Sequence, residues 1–150
     1  MIYKNILVTV DGSVTSKLAL KEAIKLAKEL SSFIRVIHVV ETIYVNWSMQ
    51  PVDPKDVENA MRAAGKEVIN ETEADLKQSG YSHYEVKLIE VNRTDYRVEE
   101  IILEQAKIWP ADLIVLGTHG RKGFHHFLLG SVAEGVVRSS NIPVLLKREK

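Results

Sequence analysis

Cysteine is absent from all 150 residues, which excludes disulfides, thiol nucleophiles and cysteine metal sites, and fits a reducing compartment. An excess of charge of either sign is absent too: Lys plus Arg and Asp plus Glu stand at 20 each. No overall field therefore draws the chain onto nucleic acid or an anionic membrane, and any polyanion site has to be local. No apolar stretch reaches membrane length, and Met1 to Asn5 runs into a strand-like segment without a signal peptide's apolar core. The expectation is a cytoplasmic protein with neither nucleic acid nor membrane as partner. Repeats and low-complexity tracts are missing as well, and this length buries enough apolar surface to fold without staples. A single domain over residues 1–150 is expected.

What the chain does have is alternation. Ile6 to Val10 is a short continuous apolar run of the kind a strand covered on both faces requires, and Asp11-Gly12-Ser13 breaks it. Leu20, Ala23, Ile24, Ala27 and Leu30 then recur at helical spacing, with Lys17, Lys21, Lys25 and Lys28 on the opposite side. Residues 34–40 read as a second strand. After a stop at Pro51 to Pro54, a longer helical pattern runs to Ser79-Gly80. Residues 85–91 read as a third strand, and a third helix from Val98 is closed by Pro110. Residues 113–116 then form a fourth strand, Leu129 to Val137 a fourth helix, and residues 142–146 a closing strand. Strand and helix alternating in this way predict an α/β fold: an open five-stranded parallel sheet with right-handed crossovers and helices on both faces.

Ligands of such sheets bind beyond the carboxyl ends of the strands, where the strand order reverses. Two loops lie at that end, Asp11-Gly12-Ser13 and Gly117 to Gly130. They meet only if the first and fourth strands are neighbours, which is the order 3-2-1-4-5. The second loop reads G-T-H-G-R-K-G-F-H-H-F-L-L-G-S from Gly117 to Ser131. Its glycines permit close backbone approach, and the amides after Gly130 open a helix, a combination suited to phosphate. Neither G-x-x-x-x-G-K-[ST] nor a G-x-G-x-x-G after the first strand is present, so the chain is neither a P-loop NTPase nor a standard dinucleotide binder. What remains is G-x2-G-x9-G-S on Gly117, Gly120, Gly130 and Ser131.

With that motif, the chain resembles the universal stress protein family. The resemblance runs from Tyr3-Lys4-Asn5-Ile6-Leu7-Val8 and Asp11-Gly12-Ser13, through His38-Val39 and Ala111 to Gly120, to Leu128-Leu129-Gly130-Ser131-Val132-Ala133-Glu134 and Asn141 to Leu145. The long glycine motif resembles that of the members that bind ATP. The resemblance implies a Rossmann-like fold, an adenine nucleotide as ligand, Asp11 beside its adenosine end and Val39 against the adenine. Gly117, Gly120, Gly130 and Ser131 would hold ribose and phosphates. The full set of implied contacts comprises Thr9, Val10, Asp11, Gly12 and Ser13; Val39; Leu116, Gly117, Thr118, His119 and Gly120; and Gly130, Ser131 and Val132. Relatives commonly carry a glycine where this chain has Asn92-Arg93, so no ligand role is assigned there.

A helix terminus favours an anion by about 0.3–1 kcal/mol when exposed and up to about 2 when partly buried, whereas micromolar affinity takes about 8 kcal/mol. Adenine burial, ribose contacts and a magnesium ion on the phosphates have to supply the rest, with Asp11 the carboxylate candidate. Simpler readings stand beside these. Asp11 and Ser13 also suit a turn and a helix cap, Val39 would be apolar in any buried strand, and Arg121-Lys122 suit a solvated face as well as a phosphate. His119, His125 and His126 form no familiar metal spacing, so no metal site is assigned to them. Tyr44 and Trp47 suit a pocket cap, a partner surface or simple packing. No nucleophile and base stand at a recognisable spacing, which argues against an efficient enzyme and leaves at most slow ATP hydrolysis. The resemblance implies an ATP-binding regulatory module in stress response, forming a homodimer through residues 143–147, an edge that Lys147, Arg148 and Lys150 would alternatively guard against pairing. The alternatives are a nucleotide-independent interaction module, with an unidentified protein partner, and a true ATPase.

Overall fold

Ile6, Leu7 and Val8 are fully buried, as a central parallel strand covered on both faces must be. The structure, a computed structural model, describes residues 2–41, 51–119 and 129–149. Its elements alternate along the chain: β1 (Asn5–Thr9), α1 (Val14–Leu30), β2 (Phe33–Glu41), α2 (Pro54–Ser79), β3 (Tyr84–Val91), α3 (Val98–Ile108), β4 (Leu113–Gly117), α4 (Ser131–Ser139) and β5 (Val144–Lys147). The five strands lie in the order β3-β2-β1-β4-β5, every pair parallel, as expected from the two loops that had to meet. β1 pairs with β4 through Leu7 opposite Ile114, and with β2 through Leu7 opposite Arg35.

The two faces of the sheet build two cores. Ile6, Val8 and Val10 point to the side where Ala19, Leu20, Ala23 and Ala27 of α1 pack with Val68 and Leu76 of α2. Leu7, Ile37, Ile114 and Leu116 point to the other side, against Ile102 and Ala106 of α3 and Ala133 and Val136 of α4. Period-2 alternation along each strand is what separates the two sets.

Boundaries differ from the sequence reading at the starts of α2, β5 and α4. Asp53 and Pro54 start α2 where a stop was expected: Asp53 Oδ1 accepts from the Lys55 amide at 2.9 Å, and Pro54 occupies the first turn, where its missing N–H has no cost. The last strand begins at Val144, and the carbonyl of Pro143 only accepts the lead-in bond from Ile114 at 3.0 Å. α4 likewise opens at Ser131 with Gly130 as its N-cap, two residues after the apolar stripe begins.

Candidate functional site

β1 and β4 are neighbours whose helices leave to opposite faces, so their carboxyl ends open a crevice. There the chain lines a cleft of about 520 Å3, within the usual range for a small-molecule site. Thr9, Val10, Asp11, Val39, Leu116, Gly117, Thr118, His119, Gly130, Ser131 and Val132 all border it. Gly12 and Ser13 do not: Gly12, at φ +80°, turns toward Lys17 and Glu71 on the other side, and Ser13 is consumed in capping α1. Gly120, together with Arg121, Lys122, His125, His126, Tyr44 and Trp47, lies outside the described residues.

Each wall follows from local chemistry. Asp11 closes a turn by accepting the Ser13 amide on Oδ1 at 2.9 Å, while the Ser13 hydroxyl accepts the Ser16 amide at 3.2 Å. The capping expectation for Ser13 therefore holds, and Asp11 combines a turn bond with a place on the cleft. Gly117 is where a side chain is forbidden, for a reason other than a ligand. A Cβ there would stand 2.8 Å from the Thr15 carbonyl carbon and 2.9 Å from the Ser16 nitrogen, so the end of β4 passes directly over the start of α1. The Thr15 hydroxyl then donates to the His119 carbonyl, tying the first turn of α1 to the following loop.

The loop that follows β4 has its two ends joined, since the Gly130 amide donates to the Thr118 carbonyl at 2.7 Å. Gly130 sits at φ −62° and ψ 154°, an extended N-cap without a side chain to satisfy the helix start. The first bond within α4 runs from the Glu134 amide to the Gly130 carbonyl at 2.9 Å. The amides of Ser131, Val132 and Ala133 therefore have no intrahelical acceptor, and all three residues border the cleft. Val39, Val98 and Leu116 supply an apolar wall of the same cleft, continuous with the α3/α4 core.

Sequence reasoning missed Ser16, His38, Glu41, Val98 and Ala133 on this cleft. Ser16 had a signal, as a polar side chain on the buried stripe of α1. His38 had another, as an imidazole in an apolar strand run; its Nδ1–H donates to the Val10 carbonyl at 2.7 Å, which joins β2 to the exit of β1. Glu41 brings a second carboxylate, and among the described residues no lysine or arginine borders the cleft. Close to Glu41, the buried Tyr96 hydroxyl meets no partner in hydrogen-bonding geometry. Burial, and then the Glu41 carboxylate, raise its pKa to about 12. An unfolded tyrosine titrates near about 10, so the folded chain holds this proton more tightly. The stability so gained is present below that value and is lost as pH rises from about 10 through 12. Tyr96→Phe is expected to flatten stability against pH in that window in alkaline denaturant titrations. Equal slopes for both proteins would place the alkaline loss elsewhere.

Comparison with known proteins bears on this geometry. Residues 2–148 match the model of the "Universal stress protein family". Universal stress protein MJ0531 of Methanocaldococcus jannaschii is 30% identical over 148 residues, 99% of this chain and 84% of that protein. Among solved structures, universal stress protein UspA from Lactobacillus plantarum is 25% identical, with 99% of each chain covered and a TM-score of 0.81. A universal stress protein from Archaeoglobus fulgidus, solved in complex with dAMP, shares the fold at 24% identity and a TM-score of 0.64, covering 98% of this chain and 99% of that one.

Proposed function

Because the chain belongs to the universal stress protein family, we propose that it is an ATP-binding regulatory module of the stress response whose nucleotide sits in the cleft at the ends of β1 and β4. The observation that carries this reading is the start of α4: an uncapped helix N-terminus whose first-turn residues border a cleft that also has an apolar wall. Adenine packs against Val39, Val98 and Leu116. The phosphates take the amides of Ser131, Val132 and Ala133, where the helix dipole also favours negative charge. The dAMP-bound relative supports adenine as the base.

Charge requires a further component. Asp11 and Glu41 border the same cleft as the phosphates, and among the described residues no group of three or more His, Cys, Asp or Glu side chains converges to hold a metal. A magnesium ion bound largely by the nucleotide's own phosphates, with Asp11 as its protein carboxylate, reconciles the two. The reading includes slow hydrolysis at most, since the sequence offers no nucleophile and base at a recognisable spacing. The homodimer reading rests on β5, which has β4 as its neighbour on one side and ends the sheet on the other. The Lys147 ammonium reaches 3.4 Å from Glu22 Oε2 of α1 and so is engaged away from edge protection, leaving residues 143–147 to pair with a second copy.

Thermal unfolding of nucleotide-free protein tests the proposal. ATP with magnesium at a hundredfold excess over its Kd is expected to raise Tm by roughly 5–10 °C for a domain of this size, with GTP giving less. A Tm unmoved by millimolar ATP would favour an interaction module that uses no nucleotide.

A further inference from the structure

Glu41 is a carboxylate without a cation beside it. It borders the cleft, is exposed, and among the described residues enters no ion pair. Residues 42–50, which follow it, contain neither lysine nor arginine. Its position along β2 follows from strand geometry. Val39 and Glu41 stand two residues apart, so they share the face that turns toward the α3/α4 core, with Glu41 about 6.5 Å nearer the carboxyl end. Its position across the sheet follows from the order β2-β1-β4. The bond from the Gly130 amide to the Thr118 carbonyl holds the start of α4 at the exit of β4, and Asp11 stands at the exit of β1. Glu41 closes β2, two strand spacings or about 10 Å from β4. A nucleotide with its phosphates on α4 therefore keeps them away from this negative charge and turns its base toward it.

We infer that Glu41 is a specificity-determining residue of the cleft, accepting from the exocyclic amine of adenine and turning away purines that carry an oxygen there. The inference rests on the nucleotide reading above and deepens it by assigning the choice of base to one side chain. A carboxylate only accepts. The 6-amine of adenine donates, whereas the 6-oxygen of hypoxanthine or guanine is itself an acceptor and meets the carboxylate with repulsion. Tyr96 is the positioning residue. Its hydroxyl is buried, has no partner in hydrogen-bonding geometry, and lies within the influence of the Glu41 carboxylate. A buried O–H is costly to leave unpaired, and a turn of the flexible Glu41 side chain satisfies it. One carboxylate oxygen then accepts from Tyr96 and the other faces the cleft, so Tyr96 aims the carboxylate without touching ligand.

Calorimetric titrations with AMP, IMP and 2′-deoxy-AMP test this, because the three carry the same phosphate and their ratios within one protein cancel changes of charge and stability. The wild type is expected to bind AMP about ten- to a hundredfold more tightly than IMP, and 2′-deoxy-AMP as tightly as AMP. Glu41→Gln keeps the volume of an exposed side chain and offers either an acceptor or a donor, so its AMP to IMP ratio is expected to fall toward one. Tyr96→Phe is expected to lower the ratio by a smaller factor. An unchanged ratio in Glu41→Gln overturns the role of Glu41 and leaves the nucleotide site standing. So does a wild type that binds AMP and IMP alike and 2′-deoxy-AMP weakly, which would assign the carboxylate to the ribose. A full ratio in Tyr96→Phe overturns the positioning role. Failure of the wild type to bind any of the three, or ATP, overturns the nucleotide reading as well.

Discussion

Gly117→Ala is expected to destabilise the protein by about 2–3 kcal/mol, at the upper end of overpacking costs, and to lower Tm by roughly 5–10 °C. The added Cβ would lie 2.6 Å from the Thr15 Oγ1, 2.8 Å from its carbonyl carbon and 2.9 Å from the Ser16 nitrogen. A side-chain oxygen can rotate away, but two backbone atoms in the first turn of a packed helix cannot. Either β4 or the start of α1 has to shift, and the Thr15 bond to the His119 carbonyl shifts with it. Loss of stability and loss of the cleft should therefore come together, measurable as parallel falls in the urea midpoint and in ATP affinity. A variant with wild-type stability and weakened ATP binding would instead assign Gly117 to ligand contact, the role its place in the glycine motif suggests.

Ser131→Pro separates binding from folding in the opposite direction. Proline at the first position of a helix gives up an amide that has no intrahelical acceptor, and its ring constrains the preceding residue to extended backbone. Gly130 is already there, at φ −62° and ψ 154°. Stability is expected to stay within about 0.5 kcal/mol of the parent. Affinity for ATP is not: the substitution deletes one amide donor and one hydroxyl from the phosphate end. Hydrogen bonds to charged groups contribute about 1.5–3 kcal/mol each, so a loss of at least tenfold and up to several hundredfold is expected. Adenosine, which lacks phosphates, should bind the variant as it binds the parent.

These two glycines show where sequence reading reaches and where it stops. Sheet order was legible because two loops with ligand-binding character had to share one end of the sheet, and only adjacency of β1 and β4 allows that. The place of Gly130 was legible too, because a glycine and a serine before an apolar helical stripe mark a helix start. Gly117 was legible as a position, whereas its crowding by Thr15 and Ser16, about a hundred residues earlier in the chain, was not. Contacts of that separation leave no local pattern. The same holds for His38, whose partner is the Val10 carbonyl across the sheet, and for Val98, an ordinary helix residue until α3 is set against the strand ends. Asp53-Pro54 failed differently: the residues that stop one element also start the next, and helix capping chemistry reads the same way at a turn.

The central claim is that the start of α4 holds the phosphates of an adenine nucleotide. Calorimetric titration of nucleotide-free wild type and Ser131→Pro, each with ATP and with adenosine in magnesium buffer, tests it most directly. The account predicts saturable ATP binding to the wild type, a loss of at least about tenfold in the variant, and adenosine affinities that coincide. Equal ATP affinities for two folded proteins would contradict it, and would move the phosphates away from this helix.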